Sequence, residues 1–190
     1  MRHRLYLLPL LLLLPGLWGC SGMKIAEFTD REPALVLEDY FDGRVYAWGI
    51  FEDRFGRLRR EFQVEIDGRW DGQELVLDEH FLYSDGETDR RIWRIRADGD
   101  GRYQGKADDI LGVASGELRG NALNWRYKMD LKVGEGSWRV SFDDWMFLQP
   151  GGVMINRATV RKWGLELGTV TLFFARAEVF AEAPFALIEK

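Results

Sequence analysis

Beyond residue 40 the chain alternates apolar and polar positions with a period of two. Leu58, Phe62, Val64 and Ile66 share one parity against Arg59, Glu61, Gln63 and Glu65. Leu75, Leu77, Phe81 and Tyr83 form the next apolar set, followed by Trp93 and Ile95 and by Leu123, Trp125, Tyr127, Met129, Leu131 and Val133. Trp138, Val140, Phe142, Met146 and Leu148 continue it. Successive side chains of a strand point to opposite faces, so each stretch predicts a strand with one apolar face. Thr169 to Ala177 is apolar on both faces, which predicts a strand that is covered on both sides or turned towards lipid.

Turn signals separate these stretches. Asp-Gly pairs stand at Asp42-Gly43, Asp67-Gly68, Asp71-Gly72, Asp85-Gly86, Asp98-Gly99 and Asp100-Gly101. Such pairs suit hairpin turns, because glycine accepts the positive φ these turns require. Further breaks are expected at Asp53 to Gly56, Gly120-Asn121, Gly134 to Gly136, Pro150 to Gly152, and Gly168. The segments between them run to about 8–13 residues, which predicts an all-β antiparallel meander of roughly eight to ten strands, curled so that its apolar face lies inside. One short helix is expected near the start, with Pro33 at its first position and Leu37, Tyr40 and Phe41 on one face, capping an end of the barrel. The other reading of this stretch is a plain tether.

Ahead of it the pattern changes. Arg2, His3 and Arg4 precede an apolar run from Leu5 to Leu17 that contains Pro9, Pro15 and Gly16. The run is too short and too broken for a membrane helix and reads as the core of a signal peptide. Its ending, Leu17-Trp18-Gly19-Cys20, looks like a bacterial lipobox, in which the cysteine thiol receives a diacylglycerol and becomes the new N-terminus. The alternative is an ordinary secretory signal with a chance cysteine. By resemblance to lipoprotein sorting rules, Ser21 favours the outer membrane. The expected organisation is therefore a signal peptide over 1–19, a lipidated tether over 20–32 and one barrel domain over 33–190, held in the periplasm by lipid.

Composition narrows the chemistry. Lys and Arg number 26 against 31 Asp and Glu, a net charge of −5 over 190 residues with no basic block, which disfavours nucleic acid as a partner. Cys20 is the one cysteine, which excludes intramolecular disulfides and cysteine zinc sites. Beyond the leader, His80 is the one histidine, so no multi-histidine metal site can form. No cofactor motif is present. His80 falls on the outer parity and reads as a surface histidine. Asp108-Asp109 and Asp143-Asp144 are adjacent acids, which point to opposite faces on a strand and converge only in a turn.

Four charged residues break the inner parity: Arg60, Glu79, Arg91 and Asp144. Unpaired, each would cost several kcal/mol to bury. They are expected to face a shared interior or its mouth, with Tyr83, Trp93, Trp125 and Tyr127 as further lining. Three readings are open: a closed ion-pair network filling the barrel, a polar anchor for the head of an amphipathic ligand, or bulges that shift the parity. Asp144 is expected inward and Asp143 outward. Trp145 is either an exposed aromatic that meets a membrane or protein, or outer packing under a loop.

Several segments together resemble a family of uncharacterised bacterial lipoproteins, known as a domain of unknown function and regarded as lipocalin-like. They include Tyr40-Phe41-Asp42-Gly43, Trp48 to Gly56, Leu77 to Gly86, Arg91-Ile92-Trp93, Tyr103 to Ala107, Gly120 to Leu123, Phe142 to Met146 and Ile155 to Ala158. The resemblance implies a lipocalin-like barrel and no established activity or catalytic residues. The expected function is a lipid-anchored envelope module that binds a fatty acid or other hydrophobic molecule. The alternatives are a structural or assembly lipoprotein with a packed barrel, and an enzyme on a lipid-like substrate with Glu79 or Asp144 as general acid or base.

Overall fold

The structure, a computed structural model, describes residues 22–188 apart from residue 135; the expected leader and Cys20 lie outside the described residues. Ten antiparallel strands close into a barrel: β1 (Gly43–Asp53), β2 (Leu58–Trp70), β3 (Leu75–Tyr83), β4 (Thr88–Ala97), β5 (Arg102–Lys106), β6 (Ala114–Arg119), β7 (Ala122–Val133), β8 (Gly136–Leu148), β9 (Val153–Lys162) and β10 (Leu165–Arg176). Each strand pairs with its neighbour in sequence, and β1 pairs with β10, with Trp48 opposite Phe173. Closure leaves no free sheet edge.

The inner face follows the period of two. In the lower half, Val45, Ala47, Val64, Ile66, Leu75, Leu77, Trp93, Ile95, Leu123, Trp125, Met154 and Phe174 are buried together. The rings find room over glycines. A Cβ on Gly105 or on Gly116 would stand 2.5 Å from the Trp125 ring, so the indole lies across two strands that offer no side chain. The helix α1 (Leu37–Phe41) closes this lower end, burying Leu37, Tyr40 and Phe41. It begins four residues after Pro33, later than the sequence predicts, because Val36 is still extended and Leu35 donates its N–H to the Gly120 carbonyl at 2.8 Å.

Several turn signals behave differently from expectation. Asp67-Gly68 is not a turn but lies within β2. A Cβ on Gly68 would meet the Phe41 carbonyl oxygen at 1.6 Å, so glycine is what lets α1 dock. Gly168 is likewise inside β10, beside a register shift, and the true turn falls at Trp163-Gly164. A second shift, between Phe51 and Glu52, places Glu52 opposite Leu58 and leaves Leu58 exposed at the strand start, where plain alternation would bury it.

Both flanks of the chain lie on the outer wall. The stretch expected to be a tether forms a 3-10 turn, Ile25–Phe28, whose Phe28 ring packs 5.9 Å from Trp145 and 5.4 Å from Phe147. Trp145 is accordingly buried, the packing alternative of its two sequence readings. At the other end Phe185 sets its edge against Tyr46 at 5.0 Å and Trp48 at 5.5 Å. Glu65, on the outer parity of β2, is buried beneath this segment. Its carboxylate pairs with Arg44 and accepts the N–H groups of Leu187 and Ile188. The outer face of β10 is partly uncovered, with Phe173 exposed.

Candidate functional site

Above the apolar floor the interior becomes polar. Glu79 on β3 stands opposite Arg91 on β4, and Asp144 on β8 stands opposite Trp125 on β7. All point inward by strand parity. Arg91 forms a two-pronged pair with Asp109 of the β5–β6 connection, Nε at 2.9 Å and Nη2 at 2.7 Å from Oδ2, while the nearest Glu79 oxygen is 3.9 Å away. The guanidinium also lies 5.6 Å from the centre of the Phe81 ring. Trp93 lies beside the Glu79 carboxyl and Asn156 beside that of Asp144.

The protonation states follow from this geometry. Burial raises Glu79 to about 7, against the opposing pull of Arg91, and the Asp109 charge pushes it further up. Burial raises Asp144 to about 8, helped by Asp143 next to it in the chain, with Arg91 opposing. Burial works against the charge on Arg91, but Tyr127, Glu79 and Asp109 together hold it above the ordinary arginine range. Near neutral pH the interior therefore carries a fixed cation, a neutral Asp144 and a Glu79 close to half-charged. Tyr127 is held neutral, by burial first and by the Asp144 carboxyl second.

Two aromatic walls flank this polar layer. Phe62, Phe81 and Tyr83 meet on β2 and β3 with centroids 5.6 to 6.2 Å apart. Trp93 packs its edge on Trp125 at 5.6 Å and on Tyr127 at 5.4 Å, and Tyr127 stacks on Phe142 at 4.9 Å. Inward-pointing side chains here are less tightly covered than those of the floor. Arg91 keeps 16% and Glu79 14% of its side-chain surface, and Phe51, Phe62, Phe81, Tyr127, Phe142, Val170 and Leu172 are half-buried. Groups enclosed by strands that still keep accessible surface face open space. The barrel is thus a cup with a packed floor and a looser polar and aromatic upper half.

Two buried acceptors in or next to this layer have no partner among the described residues: Asp144 Oδ1 and Asn156 Oδ1. Each unmet buried acceptor costs about 1–3 kcal/mol. A second concavity, of about 560 Å³, runs over the outside of the wall past Trp48, Ile50, Gln63, Leu82 and Phe173.

Of the eight residues singled out for the interior, Glu79, Arg91, Trp93, Trp125, Tyr127 and Asp144 lie in it or on its floor. Arg60 does not join the charged layer: it sits at the mouth, 3.5 Å above the Tyr83 ring, and pairs with Asp85 and Glu87 of the β3–β4 turn. His80 faces outward, with Nε2 3.1 Å from Asp78. Asp143 also faces outward, towards Arg126 at 3.2 Å. Sequence reasoning named Asp109 only as one of two adjacent acids and did not join it to Arg91, because it acts from a connection where parity says nothing. It missed Asn156, which parity could have found, since Asn156 alternates with the apolar Met154, Ala158 and Val160 on β9.

Fold and site together define a closed ten-stranded antiparallel barrel with a buried, partly neutralised charge cluster. The chain belongs to the DUF3833 family, described as a protein of unknown function, whose match spans residues 14–176 and so includes every strand. No curated protein matches it.

Proposed function

We propose that this is a lipid-anchored envelope protein that binds an amphipathic molecule, such as a fatty acid or another lipid, inside a lipocalin-like barrel. The observation that carries the reading is the pair of partnerless acceptors, Asp144 Oδ1 and Asn156 Oδ1, beside the accessible interior. A head group bearing a hydroxyl, which both donates and accepts, would partner Asn156 Oδ1 and the neutral Asp144 carboxyl. The Arg91 edge that faces Glu79 would take a head-group oxygen. The half-buried Phe62, Phe81, Val170 and Leu172 would hold the apolar tail. Such a division, mostly apolar lining with a few placed polar groups, is what small-molecule sites use. The leader and Cys20 support attachment through lipid, with the outer membrane as the favoured destination and the barrel in the periplasm.

Native mass spectrometry of the full chain extracted from membranes tests this reading. A co-purifying lipid is expected, and Val170→Trp, which fills the upper half, should expel it while the protein stays folded. A protein that never carries a small molecule, or carries it undiminished in Val170→Trp, removes the proposal.

An enzymatic reading has one observation in its favour. Glu79 and Asp144 both titrate near neutrality, where a general acid or base works best. Turnover of bound lipid, lost in Glu79→Gln with binding retained, would establish it.

A further inference from the structure

Apart from Ile92 and Phe173 on the outer wall, the large exposed apolar side chains of the strands and hairpin turns stand at the barrel's upper end. Phe55 is 71% exposed at the β1–β2 turn, with Leu58 beside it, and Trp163 is 88% exposed at the β9–β10 turn, with Leu165 beside it. Trp138, at the start of β8, is also exposed. These turns adjoin one another round the wall, because β2, β1, β10, β9, β8 and β7 are consecutive neighbours.

Cations are set among these rings. Arg54 lies 4.8 Å from the Phe55 ring centre, and Lys162 lies 4.0 Å from that of Trp138 and 4.6 Å from that of Trp163. Arg54, Arg57, Lys132 and Lys162 form no ion pair among the described residues. Trp163 itself has φ of +53°, followed by Gly164 at +83°. Glycine, asparagine and aspartate suit such a two-residue tip, so an exposed indole there serves neither the turn nor the core. The neighbouring β3–β4 turn is of opposite character, with Asp85 and Glu87 holding Arg60.

We propose that this aromatic and basic part of the rim docks on a lipid bilayer carrying anionic head groups. Tryptophan favours the head-group region, where its ring is sheltered and its N–H stays wet. Each cation brought to an anionic surface strengthens binding by roughly fivefold. Projecting hairpin tips separated by cations suit insertion between head groups, whereas a protein partner would call for a continuous apolar patch. Docked this way, the barrel lays one side of its mouth on the membrane with the acidic β3–β4 turn raised from it.

The test uses the full chain in vesicles of phosphatidylglycerol and phosphatidylcholine, with a photoreactive benzophenone side chain replacing Leu165. A control carries it in place of Gln73, in the turn at the opposite end. Mapping which position joins to phospholipid separates the rim from any attachment through the leader, and no internal ligand is needed. Adducts at 165 are expected to exceed those at 73 by at least about fivefold. They should fall several-fold with phosphatidylcholine alone, at high salt, in Trp163→Ser and in the Arg57→Gln, Lys162→Gln double variant, with melting unchanged. Equal adducts at both positions, adducts at 165 to a second copy of the chain, or a yield indifferent to anionic lipid would each overturn the proposal.

Discussion

Arg91 turns its guanidinium to Asp109 and not to Glu79, the residue directly across the β3–β4 ladder. Two of its nitrogens lie within 2.9 Å of the Asp109 carboxylate, and Glu79 is held at 3.9 Å. A residue in a connection thus contributes, behind burial, to the charge balance of two residues on strands.

Removing that acceptor should redistribute the cluster. In Asp109→Asn, Arg91 loses its charged partner and Glu79 loses the negative neighbour that raises it. The Glu79 carboxyl is expected to titrate lower than about 7, as followed by carboxyl NMR shifts. Stability should fall by about 1–2 kcal/mol, a figure kept small because Asp109 is partly exposed.

Stability should rise as pH falls through the neutral range. Glu79 and Asp144 titrate at about 7 and about 8 in the fold, above unfolded values near 4, so the folded state binds more protons in between. Their contribution is complete below the unfolded values, falls at up to about 1.4 kcal/mol per group per pH unit as pH climbs from there, and is lost once pH has passed about 7 for Glu79 and about 8 for Asp144. Thermal melts at pH 5.5 and 8.5 check the sign. Asp144→Asn, which mimics the neutral acid, should flatten the upper part of the profile and stabilise the protein at pH 8.5 by on the order of 1 kcal/mol.

Gly68→Ala should lift the helix that closes the floor. The added methyl overlaps the Phe41 carbonyl, which as backbone cannot step aside without moving α1. A loss of about 2–3 kcal/mol is expected in urea unfolding.

Glu65→Ala should release the C-terminal strap without opening the barrel. The N–H groups of Leu187 and Ile188 lose their acceptor, and Arg44 loses its partner. Hydrogen exchange at those two amides should speed by tenfold or more, while amides of β7 and β8 keep their protection. The stability cost is expected at about 1–3 kcal/mol.

Strand-by-strand alternation made much of this molecule readable in advance. It placed Glu79, Arg91 and Asp144 on the inner face because the period of two survives unbroken through β3, β4 and β8. It failed wherever a residue's role depends on something other than its own strand. Leu58 lies beyond a register shift, and Arg60 is drawn to the acids of a turn. Gly68 and Gly168 look like turn residues because glycine marks a tight backbone approach as readily as a bend. Glu65 shows a different limit: its outer parity was legible, but its burial comes from a segment 122 residues away.

Closure through β1 and β10 has a consequence for how the chain reaches this shape. The first strand waits for the last before its second edge is satisfied, and Phe28 waits for Trp145 and Phe147. Contacts so distant in sequence carry a large loop-closure cost before they repay it, which makes folding slow and all-or-none. A growing chain therefore exposes an open sheet edge until its C-terminal third arrives. During that interval the protein is most exposed to aggregation and most in need of a chaperone.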